Sequence, residues 1–356
     1  MRVDGKLAVW DIDGIAAEAV RHEQSGYHGL WSSESTHDPF LPLVAAAEHT
    51  ERLELGTAIT VAFARSPMQL AYTAHDLRSY SGGRFVLGLG SQVEPHIRWR
   101  YSMPWSRPAA RMREYLSALR AIWAAWNQGE KLDFRGDFYT HTLMPPFFTP
   151  EPGEAPRVFV AAVGAAMTEV VGEVADGLLA HAFTTERYLR EVTVPTLERG
   201  LARSGRTRAD LEISHQLLVA TGPDLPGAVD AVRRQIAFYG STPAYRGVLA
   251  RHGWEELGVE LTALSKSDRA DRWQVMGSLV DDDVLNAFAV VGEPDALAAE
   301  IRRRFDGLVD RFSFYTPYEI DQAVFTPVVQ RITAPRASPS ARSRTAGEAP
   351  RPAPPR

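Results

Sequence analysis

The chain has 356 residues, 45% apolar and 23% charged, with a formal net charge of −5. That balance can fill a buried core, and it gives no basic footprint for nucleic acid. Cysteine is absent, which excludes disulfides, thiolate metal sites and cysteine nucleophiles together.

Strand-like and helix-like runs alternate from the start. An apolar strand is predicted at Leu7–Trp10, then a helix over Ile12–Ser25 closed by Gly26. Gly29–Glu34 reads as the second strand, Phe40–Glu51 as a helix, and Leu53–Val61 as a third strand rich in β-branched residues. A helix over Pro67–Tyr80 ends at Ser81-Gly82-Gly83, and the apolar run Phe85–Gly90 is the fourth strand. Arg107–Gln128 carries Met112, Tyr115, Leu116, Leu119, Ile122 and Trp123 at helical spacing. Residues 129–157 then lose all periodicity and hold five prolines (Pro145, Pro146, Pro150, Pro152 and Pro156), the mark of a functional excursion or lid.

Val158–Val163 and Gly177–Ala182 are strands five and six, each followed by a helix, the second over Glu186–Ser204. Ile213–Thr221 is the seventh strand and Gly227–Tyr239 the helix after it. Residues 241–292 break the rhythm with extra helical pieces, before a helix at Pro294–Phe305 and an eighth strand at Arg311–Tyr315. Eight strands with intervening helices predict a closed (β/α)8 TIM barrel over residues 1–333, with insertions after strands 4 and 7. Residues 334–356 are poor in apolar side chains and rich in Pro and Arg, a tail expected to be disordered. No run approaches the roughly 18 apolar residues of a membrane helix. The N-terminal segment has no secretory pattern. A cytoplasmic protein with no membrane partner is expected.

In such a barrel the active site lies at the C-terminal ends of the strands. Those ends offer Asp11, Ser33, Glu34 and His37, then Thr57 to Thr60, then Ser91, Gln92 and Glu94, and later Gly164, His181, Gln216 and Tyr315. The set is polar with little charge, which suits hydrogen bonding to an uncharged ring system better than hydrolysis. Other chemistries find little support. Gly88-Leu-Gly90 lacks the third glycine of a dinucleotide fingerprint, no serine sits in a G-x-S-x-G elbow, and the ten histidines include no H-E-x-x-H, so no metal site is expected. Glu34 with Glu94 as a glycosidase carboxylate pair is a minor reading.

The run Gly29-Leu-Trp-Ser-Ser-Glu with His37-Asp-Pro-Phe, then Leu55-Gly-Thr-Ala-Ile, then Ser81-Gly-Gly-Arg-Phe-Val-Leu-Gly-Leu-Gly90, resembles the luciferase-like monooxygenase superfamily. Val163-Gly-Ala-Ala-Met167, Ala175-Asp-Gly177 and Val291-Gly-Glu-Pro294 continue the likeness in the same order, to about residue 320. Phe63–Met68 and Met103–Glu114 resemble the branch that uses the deazaflavin coenzyme F420; FMN is the alternative cofactor. The resemblance implies hydride transfer between coenzyme F420 and a small-molecule substrate, with an FMN-dependent two-component monooxygenase as the alternative and a homodimer as the assembly. A ligand-binding barrel without turnover is a third reading.

The resemblance also implies a bulge at the end of the third strand with a non-proline cis peptide at Ala58–Ile59, backing the ring, and hydrogen bonds to it from Thr57 and Thr60. Asp11, Ser33, Gly90, Ser91 and Gln92 are the further cofactor-binding candidates. Val163, Gly164, Ala165 and Met167 open a helix whose N–H groups suit a phosphate, although glycine there also serves a plain turn. Arg65 or Arg187 is a candidate to meet an acidic cofactor tail. His37, Glu34 and Glu94 are the catalytic candidates, Glu94 as a proton donor. The residues alone allow another role for Glu34 and His37, capping the next helix, with Asp38 as the better cap.

Overall fold

The structure is a computed structural model that describes residues 1–334. All but the first residue of the predicted tail therefore lies outside the described residues.

Eight parallel strands close on themselves: β1 (Arg2–Lys6), β2 (Gly29–Ser32), β3 (Glu54–Thr57), β4 (Phe85–Gly90), β5 (Arg157–Ala162), β6 (Gly177–Ala180), β7 (Glu212–Ala220) and β8 (Arg311–Tyr315). Each pairs with its neighbours in chain order, and β8 returns to β1 in the register Arg2↔Arg311, Val3↔Phe312, Asp4↔Ser313. The helices α1 (Ile12–Gln24), α2 (Leu41–His49), α3 (Pro67–Tyr80), α4 (Pro108–Gln128), α5 (Ala165–Val174), α6 (Val194–Arg203), α7 (Leu225–Gly240), α8 (Pro294–Phe305) and α9 (Thr326–Thr333) surround the sheet. The predicted (β/α)8 barrel is the observed fold. Among the described residues no helix is long and apolar enough to cross a membrane.

The first strand is the one misplaced by the sequence reading. It occupies Arg2–Lys6, and Leu7–Trp10 is the loop after it. The reason lies in the barrel lumen. Side chains alternate along a strand, and here Val3 packs in the outer core while Gly5 lies against His22 of α1. Arg2, Asp4 and Lys6 therefore face inward, so this strand reads as polar.

The lumen is built in layers. At its base Arg311, fully buried, donates to Asp4 at 2.6 and 2.8 Å and to Glu54 at 2.6 Å. Arg157 bridges Glu54 and Glu212, and Arg2 joins the same two carboxylates. Burial alone would lower the Arg311 pKa; the Asp4 and Glu54 carboxylates outweigh it and raise it above the ordinary value. Above this network lie Trp31, Val86, Phe159 and Leu179. The Arg311 guanidinium sits 5.0 Å from the Trp31 ring centre. Gly56 makes room for that indole, since a Cβ there would stand 2.2 Å from the ring.

The two irregular segments behave differently. Residues 129–156 run along the outside of α3 and α4: Glu114 accepts the N–H groups of Asp137, Phe138 and Tyr139, and the Tyr72 hydroxyl donates to the Phe148 carbonyl. The 241–292 segment folds as short helices (Arg246–Ala250, Glu255–Ser265, Arg272–Ser278, Asp282–Phe288) over α7, around Phe183, Leu261, Met276 and Phe288. It ends in a short strand, Ala289–Val291, paired in parallel with β7.

Candidate active site

β3 stops at Thr57, the Ala58–Ile59 peptide bond is cis, and pairing resumes at Thr60↔Leu89 and Val61↔Gly90. Local hydrogen bonds define this bulge. Ala58 N–H donates to the Ser32 carbonyl at 2.6 Å, and Glu34 N–H to the Ile59 carbonyl at 3.0 Å. The Glu34 carboxylate accepts Val61 N–H at 2.8 Å, Arg65 at 2.7 Å and the Tyr101 hydroxyl at 2.9 Å. Thr57 ties β3 to β4, its hydroxyl donating to the Gly88 carbonyl and accepting Gly88 N–H. Gly90 admits the Ile59 side chain, which a Cβ would meet at 2.8 Å.

The bulge forms one wall of a cavity of about 690 Å³ at the C-terminal ends of the strands. That volume is in the range of small-molecule and cofactor sites. Of the residues singled out from sequence, Ala58, Ile59, Gly90, Ser91, Gln92 and Glu94 line it on one side. Val163, Gly164 and Met167 line it at the start of α5. The loop 91–107 after β4 also brings Val93 and Trp105 to the wall. Among the described residues every non-glycine with positive φ lies on that loop (Gln92, Ser102 and Arg107), so its path is held in conformations that side chains disfavour. Glu94 is exposed to solvent and pairs with Arg98 at 2.6 Å.

The other candidates lie elsewhere. Asp11 caps α1 by accepting Gly14 N–H at 2.7 Å, consistent with its place ahead of a helix. Thr57 and Thr60 are fully buried in the sheet, outside the cavity wall. Ser33 and Ala165 are not part of the wall either. Glu34 is enclosed behind the bulge by its three donors, and its side chain is only 7% exposed. His37 is exposed and packs at a tilt against Trp10, with ring centres 4.5 Å apart. Neither is part of the wall. Asp38 accepts Phe40 and Leu41 N–H at the start of α2, the capping role allowed for it. Arg65 is taken up by Glu34 and Asp38, and Arg187 by Glu191. The excursion at 129–156 contributes nothing to the cavity, whereas the 241–292 segment brings Ala244 and Tyr245.

Sequence reasoning left out several wall residues: Lys6 on β1, Trp31 on β2, Ser214 on β7, Ser313 on β8, and Tyr245. The alternation of side chains along β1, once its position is known, finds Lys6. His181 and Tyr245 form a defined pair. His181 Nδ1 accepts Phe183 N–H at 3.0 Å, which puts the ring proton on Nε2, 3.2 Å from the Tyr245 hydroxyl. Burial lowers the His181 pKa to about 4 and raises that of Tyr245, so both are neutral donors near neutral pH. Lys6 is open to solvent at the wall, and partial desolvation within the lumen lowers its pKa.

At the other end of the cavity, α5 begins without a side-chain cap. Gly164 is its N-cap, and nothing lies within 4 Å of where a Cβ would stand. A helix N-terminus opening on a cavity favours an anion through its free N–H groups and its dipole. Among the described residues no group of three or more metal-ligating side chains occurs.

A closed barrel with a ligand-sized cavity at the carboxyl ends of its strands has the architecture of a barrel enzyme. The family model for luciferase-like monooxygenase matches residues 3–311, and the chain belongs to that family. An uncharacterised protein of Mycobacterium tuberculosis is 58% identical over 316 residues, covering 87% of this chain and 92% of that one. An F420-dependent glucose-6-phosphate dehydrogenase of Intrasporangium calvum is 27% identical over 331 residues, covering 87% and 90%. The coenzyme F420-dependent tetrahydromethanopterin reductase of Methanopyrus kandleri superposes with a TM-score of 0.74 at 20% identity, covering 93% and 96%.

Proposed function

We propose that the protein is an oxidoreductase that transfers a hydride between coenzyme F420 and a small organic substrate. The observation that carries this reading is the pairing of the strand-end bulge at Ala58 and Ile59 with an uncapped helix N-terminus around one cavity, in a chain whose relatives include F420-dependent enzymes. The residues present fit such a group. Ala58, Ile59 and Gly90 offer an apolar stretch of wall for a fused ring, and the buried indole N–H of Trp31, on the cavity wall, has no partner. Gly164 and Met167 would hold a phosphate at the start of α5.

A bound deazaflavin supplies the hydride chemistry. The chain contributes position and polarity. The bulge would back the ring, and Ser91 and Gln92, on the same wall, would offer it polar atoms. Glu94, on the same wall, is the group that exchanges a proton with the substrate. His181 donates to the Tyr245 hydroxyl, which leaves the Tyr245 O–H as a neutral donor without a competing charge. The same reading includes a homodimer acting in the cytoplasm on a small molecule.

The test is a side-by-side fluorescence titration of the cofactor-free protein with coenzyme F420 and FMN. Selective tight binding of F420 supports the proposal. Preference for FMN would make the protein a flavin monooxygenase, in keeping with the name of its family, and binding of neither would leave a ligand-binding barrel.

A further inference from the structure

Lys6 is an ammonium group without a counter-charge. It ends β1, on the inward-facing series Arg2, Asp4, Lys6, and its backbone is in register with Trp31 of β2. The two members below it are used up in the basal ion pairs. Among the described residues no carboxylate pairs with Lys6. Glu94, the one carboxylate on the cavity wall, is held by Arg98.

The surroundings of Lys6 are polar but neutral. Ser214 and Gln216 of β7 and Ser313 of β8 share this side of the wall, with Gln216 in register with Ser313. In the closed strand order β1 stands four strands from β5 in either direction. Lys6 and the N-terminus of α5, which follows β5, therefore face each other across the mouth as two positive poles. One pole suffices for the phosphate of a cofactor. The second, with neutral donors beside it, is left for the other reactant. Lys6 is open to solvent along the cavity wall. A ligand that covers it strips the ammonium of water, which is unfavourable until the charge is paired and hydrogen-bonded, and an oxyanion on Lys6 would provide both at once.

We infer that the substrate carries an oxyanion, of which a carboxylate is the simplest, and that Lys6 is the residue that recognises it. The inference rests on the hydride-transfer reading above and adds the class of substrate. Neutral alcohols and ketones of the same skeleton are poor ligands, because they leave the ammonium unpaired.

The test uses the full chain and two matched probe pairs, benzoate against benzamide and octanoate against octanamide, by calorimetric titration with and without saturating F420. The expected result is at least tenfold tighter binding of each carboxylate. Lys6→Met abolishes the preference and Lys6→Arg retains it, both with F420 affinity within about twofold of wild type. The preference also fades as pH rises through the depressed pKa of Lys6, below the ordinary lysine value. Equal binding of acid and amide by wild type overturns the inference, as does a preference that survives Lys6→Met. A Lys6→Met variant that loses F420 affinity assigns the charge to the cofactor and overturns it too. Failure of the wild type to bind F420 is a separate result, and it refutes the hydride-transfer reading while the probe titration without cofactor still judges Lys6.

Discussion

Glu34 and Arg65 meet at 2.7 Å, and the carboxylate oxygen that accepts Arg65 also accepts Val61 N–H. The ion pair is thus joined to the chain that leaves the bulge. Removing Glu34 takes the closer of two carboxylates from a guanidinium that is only 19% exposed, leaving it Asp38 at 3.5 Å. Glu34→Ala is expected to lower the unfolding free energy by about 3 kcal/mol, with a smaller loss for Glu34→Gln. Urea denaturation checks this, and an Ala variant as stable as wild type would remove Glu34 from the bracing role.

Glu94 differs from Glu34 in lining the cavity and remaining open to solvent. Glu94→Gln is expected to slow turnover about a hundredfold or more and to leave the F420 dissociation constant within about threefold. Single-turnover kinetics and the binding titration, run on the same preparation, separate the two effects. Equal loss in both would make Glu94 a binding residue.

Gly164→Ala probes the start of α5 cleanly. Its backbone is in the ordinary extended region, with φ of −87°, and a Cβ would touch nothing. Alanine is a poorer N-cap than glycine by up to about 1 kcal/mol, so the melting temperature should fall by no more than about 4 °C. Cofactor affinity should fall if a phosphate occupies that space. Unchanged affinity would place the phosphate elsewhere.

Stability should decline on the acid side through two histidines. Burial holds His181 to about 4 and His215 to about 3, both below the ordinary histidine value of 6.5. Below pH 6.5 the unfolded chain takes up protons that the folded chain refuses, so stability is full above that value. It then falls with pH, until about 4 for His181 and about 3 for His215. The loss by pH 5 is on the order of 2 kcal/mol per histidine. Urea midpoints at pH 7 and pH 5 measure it, and His215→Phe should flatten the slope; an unaltered slope would show that His215 does not titrate this way.

The barrel was legible in the sequence because its outer core obeys periodicity: Leu87 and Leu89, Val158 and Val160, and Ile213 all pack beneath helices. β1 was not, because its inward positions are charged, and the neighbouring apolar run Leu7–Trp10 imitates a strand. The cis peptide at Ala58–Ile59 stands where the resemblance put it, a position no periodicity marks. The roles of Asp11 and Thr57 could not be read from strand-end position. Whether a polar side chain there turns to a ligand, caps a helix or stitches two strands is settled by backbone groups adjacent in space. Tyr245 was out of reach for another reason, since it arrives from an insertion whose packing on α7 leaves no local signature.

The ionic network at the base of the lumen, roofed by Trp31 and Phe159, makes the barrel a cul-de-sac. On the hydride-transfer reading proposed above, ring cofactor, substrate and product would share one doorway, and whichever lay deepest would leave last. On that reading traffic would be ordered, and an excess of either reactant would inhibit by shutting the other out.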